Sequence, residues 1–103
     1  MSVTAPTTLY KQPSEVRTYT MDFTNLLSST GTIQSILSLN NKLRGGGESS
    51  LQLSASGIVE EGKKINFVAA SGEHRNTYRI EIVILSNDGQ TLEGDGLLTV
   101  TNI

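Results

Sequence analysis

From Tyr78 to Leu85 the chain alternates without a break. Tyr78, Ile80, Ile82 and Ile84 fall on one side, and Arg79, Glu81, Val83 and Leu85 on the other. A period of two, rich in β-branched residues, marks a strand and excludes an amphipathic helix. A strand with one apolar face is stable only against another layer, so this run already demands a packed sheet. Similar runs recur on both sides of it. Arg17, Tyr19, Met21 and Phe23 share a face opposite Val16, Thr18, Thr20 and Asp22. Ile33, Ser35, Leu37 and Leu39 alternate with Gln34, Ile36 and Ser38. Leu51, Leu53 and Ala55 form a strand closed by Gly57, and Ile58-Val59 reads as a short edge strand before the turn Glu60-Glu61-Gly62. Lys63 to Ala70 turns Ile65, Phe67 and Ala69 inward, and Thr91 to Thr101 carries Leu92, Leu98 and Val100 around Gly94 and Gly96.

Turn signals separate these runs. Thr30-Gly31 breaks the chain after Leu26 and Leu27, which plug one end of the core as a single helical turn. Asp88-Gly89 is a favoured hairpin pair, and Gly94 and Gly96 predict a bulge or a close backbone approach. No segment sustains a helical period. About seven short strands in a chain of this length predict an all-β, immunoglobulin-like antiparallel sandwich. Tyr78 opens the strongest strand just after the loop Ser71–Asn76, the position of a tyrosine corner, where the hydroxyl bonds back to that loop. The expected core is Tyr19, Met21 and Phe23; Ile33 and Leu37; Leu51 and Leu53; Ile65 and Phe67; Tyr78, Ile80, Ile82 and Ile84; and Leu98 and Val100. Residues 16–103 form this domain. Residues 1–15 hold both prolines, Pro6 and Pro13, and read as an extended N-terminal arm, because proline removes a ladder donor. The arm's apolar residues Val3, Leu9 and Tyr10 have no evident use in an isolated domain and are the candidate partner-binding residues.

Composition narrows the chemistry. With 103 residues there is room for one core, and no cysteine is present for disulfides, thiolate metal sites or nucleophiles. His74, the sole histidine, lies in a polar turn without an evident partner, so no general base with a positioned partner is expected. Gly45-Gly46-Gly47-Glu48 lacks the lysine and hydroxyl of a phosphate loop and reads as a flexible hairpin loop. Asp88, Glu93 and Asp95 gather near the last hairpin, but their spacing does not match a calcium loop and ordinary surface acids are expected. A net charge of −2 disfavours nucleic acid, and Arg17, Lys63, Lys64, Arg75 and Arg79 are interspersed with acids and lack stacking aromatics. No apolar run approaches the roughly 18 residues of a membrane span, and the first residues carry no secretory pattern. The expectation is a non-enzymatic binding or assembly module, without catalytic residues, cofactor or metal, and with a cytoplasmic start.

Two segments carry a resemblance. Lys11-Gln12-Pro13-Ser14-Glu15-Val16, leading into Tyr19-Thr20-Met21-Asp22-Phe23-Thr24-Asn25-Leu26-Leu27, is similar to the opening of small tailed-bacteriophage proteins called fiber–tail adaptors. These have a Lys-x-Pro-x-Glu-Val entry and a strand ending in Asp-Phe; Asn25-Leu26 stands where they carry a Trp-Leu-type plug. Asn76-Thr77-Tyr78-Arg79-Ile80-Glu81-Ile82-Val83, with Asp88-Gly89-Gln90 and Glu93, resembles their closing hairpin. The resemblance implies a virion structural protein, made in the host cytoplasm. It would be present in several copies and join tail, neck or fiber subunits by protein–protein contacts. The alternatives are a capsid decoration or cement protein and, in a different class, a carbohydrate-binding module on the virion surface. The last is poorly served by a chain whose main candidate platform ring is Tyr10.

Overall fold

The computed structural model describes residues 2–4, 9–59 and 61–102, the first three by backbone. Pro6 of the arm and Glu60 of the predicted turn lie outside the described residues. Eight strands and no helix are found among the described residues: β1 (Ser2–Thr4), β2 (Leu9–Lys11), β3 (Arg17–Asp22), β4 (Ile33–Leu43), β5 (Leu51–Val59), β6 (Lys64–Ser71), β7 (Asn76–Ser86) and β8 (Thr91–Val100). They make two sheets, one in the order β4-β7-β8 with β1 and β2 both on the far side of β8, the other in the order β3-β6-β5. Because β1 and β2 follow one another along β8, the sandwich has seven strand positions, in keeping with an immunoglobulin-like arrangement.

The core lies between the sheets. Ile65, Phe67, Ala69, Tyr78, Ile80, Ile82, Ile84, Leu98 and Val100 are wholly buried, as is Phe23, and Met21, Leu27, Ile33 and Leu51 join them. Burying each large side chain contributes about 1.5–3 kcal/mol, so the inner row of β7 alone is a major part of the driving force. Gly94 shows why the last strand carries glycine. A Cβ there would stand 2.8 Å from the Phe23 ring, so the close approach predicted at this position is real and the ring occupies the space. Next to that ring, Leu26 and Leu27 donate their N–H groups to the Phe23 carbonyl at 3.0 and 3.1 Å, and Leu27 closes the core as expected.

Three sequence expectations are corrected. Leu37 is not in the core: it is 52% exposed. The β4–β7 register shifts between Ile33 and Ser35 and again between Ile36 and Ser38, so Ile36 and Leu39 pack inward and Leu37 is turned out. Ile58-Val59 is not a separate strand, since β5 runs through Gly57 with a bulge between Ala55 and Gly57. Finally, Leu9 has a use within the single chain. Leu9–Lys11 pair parallel with Leu98–Val100, and Leu9 packs half-buried against the core.

Tyr78 takes the corner role. The Glu73 N–H donates to its hydroxyl at 2.9 Å, and Ser50 and Asn76 approach the same oxygen at 3.4 and 3.5 Å. Burial opposes ionisation of this phenol, yet these hydrogen bonds bring its pKa below the ordinary tyrosine value.

Candidate protein-binding face

The arm enters the sheet through a turn whose chemistry explains the Lys-x-Pro-x-Glu pattern. Lys11 points inward and is 1% exposed. Its ammonium donates to the carbonyls of Gln12 at 2.7 Å and Pro13 at 3.2 Å. The Glu15 carboxylate accepts the Gln12 N–H at 2.7 Å, and the Gln12 carbonyl accepts the Glu15 N–H at 3.1 Å. Burial lowers the Lys11 pKa, partly offset by Glu15 and Tyr78. The motif is thus a self-contained turn that fixes where β2 leaves the sheet. A polar, proline-interrupted stretch hides this role, and only the spacing of lysine, proline and glutamate hints at it.

That turn sets the three arm residues apart. Val3 is in register with Gly94, and its side chain lies outside the described residues. Leu9 stands opposite Leu98 on the inner row. Tyr10 stands opposite Thr99 on the outer row and is 55% exposed. Its carbonyl accepts the Tyr19 hydroxyl at 2.6 Å, so the backbone under the ring is tied to the second sheet. Burial raises the pKa of Tyr19, partly offset by the charge of Arg17.

From Tyr10 the outer face of the large sheet runs through Thr99 and Thr77, whose hydroxyls lie 3.0 Å apart, into a band of charge. Arg79 donates to Asp95 at 2.8 Å and lies 3.5 Å from Glu81, which Lys42 approaches to 3.6 Å from β4. Glu81, Glu93 and Asp95 bring one carboxylate oxygen each within 4.8 Å of the others. A hydrogen bond with Asp95, and the Asp95 charge, raise the Glu93 pKa, while Asp95 and Glu81 hold Arg79 firmly cationic. The sequence grouped Asp88 with Glu93 and Asp95, but the fold puts Glu81 in its place, because Glu81 and Asp95 are register partners. Asp88 stays in the hairpin turn, accepting the Ser86 hydroxyl. Beyond the charge band, Val83 and Leu85 are half-buried on the outer row of β7, beside the exposed Leu37. The alternation of β7 places these two apolar residues on the polar side, which is the signal in the sequence for this patch.

The remaining candidates lie apart from this face. His74 is exposed but not without a partner, since its Nδ1 accepts the Asn102 N–H at 3.0 Å and so holds the chain after β8. Gly45, Gly46 and Gly47 take φ values of +95°, +94° and +93°, a run of left-handed backbone that only glycine adopts without strain.

No curated protein and no solved structure gives a significant match to this chain. A family model described as podophage GP4 fiber-tail adaptor protein gp77 matches residues 11–99, from the buried lysine of the entry turn to Thr99, the penultimate residue of β8. That span contains the whole smaller sheet, the strands β4 and β7 and nearly all of β8, and both segments of the resemblance, and the chain belongs to this podophage fiber-tail adaptor family.

Proposed function

We propose that this chain is a non-enzymatic joint of the virion, binding tail, neck or fiber subunits through the outer face of its five-stranded sheet, with Tyr10 as the anchor. Tyr10 carries the reading. Its ring is exposed while its backbone is held by β8 on one side and by the Tyr19 hydroxyl on the other. An aromatic side chain presented on ordered backbone loses little conformational entropy on binding, which is why such residues concentrate interface energy. Leu9 supports the strand from the inner row, and Val3 extends it toward Gly94. The charge band between Tyr10 and the Val83–Leu85 patch gives the face polar registration. The partners are other virion proteins, and neither nucleic acid nor membrane is part of this reading.

Removing the whole arm would not test it, because Leu9 and Lys11 belong to the sheet. Tyr10→Ala leaves the ladder intact and removes only the exposed ring. Phage carrying this variant should contain a reduced amount of the protein when purified particles are quantified by mass spectrometry. A loss of about 2 kcal/mol, roughly thirtyfold in affinity, is the expected scale for an aromatic anchor. Wild-type incorporation of a folded Tyr10→Ala protein would overturn the assignment of this residue.

A further inference from the structure

The smaller sheet has an open side. Its order is β3-β6-β5, and among the described residues no strand pairs with the far edge of β3, because the arm runs along β8 instead. The direction of the β3 backbone groups follows from one bond. Phe23 donates its N–H to the Lys63 carbonyl at 2.9 Å and continues the register Met21↔Ile65 and Asp22↔Lys64. In an antiparallel ladder hydrogen-bonded pairs alternate, so Arg17, Tyr19, Met21 and Phe23 bond to β6. The N–H and C=O groups of Thr18, Thr20 and Asp22 therefore face the open edge.

The edges differ in how well they are blunted. β4 has two register shifts, β5 has one, and β1 and β2 are three residues each. β3 keeps unbroken register over six residues and contains neither proline nor lysine. An edge of this kind is a template for an added strand.

We infer that β3 pairs antiparallel with β3 of a second copy about a two-fold axis at Thr20, joining the two small sheets into one. The side chains favour this occupant. Both copies offer Thr18, Thr20 and Asp22, and only the register centred on Thr20 brings all three residues of each chain into hydrogen-bonded pairs. It sets Thr20 against Thr20, a favourable cross-strand pair, and the Thr18 hydroxyl against the Asp22 side chain, whose Oδ1 accepts the Thr24 N–H and hydroxyl within the single chain. A parallel in-register pairing would set Arg17 against Arg17 and Asp22 against Asp22, whereas the antiparallel register sets no like charges opposite one another. Val16, 68% exposed just before the strand, is carried to the turn that follows the partner's Asp22. This pairing lies on the other sheet from Tyr10 and stands or falls separately from that reading.

Thr20 is exposed, so charge can be placed on the axis without touching the core. Sedimentation equilibrium on the purified chain, over a concentration series, should show a species of twice 11.1 kDa. Thr20→Glu and Thr20→Lys should each place like charges opposite one another and raise the dissociation constant about tenfold or more. An equimolar mixture of the two should restore the dimer. Circular dichroism spectra of both variants should match the parent's, and their melting curves should match it at concentrations too low for the dimer. A parent chain that is monomeric throughout would overturn the inference and leave the edge to a strand of another protein. Single variants that dimerise like the parent, or a mixture that stays monomeric, would overturn it too.

Discussion

β7 and β4 are neighbours in one sheet and each is eleven residues long, yet they behave differently. On β7 the residues Tyr78, Ile80, Ile82 and Ile84 are all wholly buried, and the ladder to β8 runs without a register shift. On β4 only Ile33 is fully in the core, while Leu37 is turned out. The difference is one of position. A central strand cannot take an extra residue without breaking the ladders on both sides, whereas an edge strand breaks only one. Alternation is therefore a reliable guide to facing at the centre of a sheet and a poor one at its rim. The bulges also twist the β4 edge, which blunts it against unwanted pairing.

The largest effect that would sharpen this contrast is at the centre. Ile82→Ala should cost about 2–5 kcal/mol in urea unfolding, since a fully packed side chain leaves a cavity. Gly94→Ala should follow, at about 1–3 kcal/mol, because the new methyl group meets the Phe23 ring in a layer with no slack. On β4, Ile36→Ala should cost about 1–2 kcal/mol and Leu37→Ala no more than about 0.5 kcal/mol. The reverse order would break the comparison, because it would mean that the register of β4 is the regular one.

The smallest effect concerns pH. Glu93 has its pKa raised above the ordinary glutamate value of 4.5 by its hydrogen bond to Asp95 and by the charges of Asp95 and Glu81, against Arg79. The folded state therefore binds this proton more tightly than the unfolded chain. The contribution is present below pH 4.5 and is lost as pH rises through the raised value. Glu93→Gln should flatten stability against pH in that interval, measured as melting temperature, and leave the curve unchanged well below it.

The rows Met21 and Phe23, Ile65 and Phe67, and Tyr78 to Ile84 were legible because β3, β6 and β7 carry no extra residue of their own, the bulged residues lying on β4 and β5. The tyrosine corner was legible because it is local, linking Tyr78 to Glu73 only five residues away. What escaped was non-local or irregular. Three residues are too few to show a period, so nothing in Leu9–Lys11 announces a parallel partner at Leu98–Val100. Glu81 joins Glu93 and Asp95 only because strand register puts it there. Tyr10 was legible as an apolar residue without a place in the core, but its separation from Leu9 depends on which side of β2 each one faces.

A chain without cysteine permits one direct measurement of the joining face. Tyr10→Cys and, on the opposite sheet, Ser54→Cys each introduce a single thiol at an exposed position. Both should react at similar rates with a maleimide in the free protein. In assembled particles the thiol at position 10 should be strongly protected, while the thiol at position 54 keeps its reactivity. A position-10 thiol that reacts in the particle as fast as in the free chain would contradict the assignment of this face to the joint.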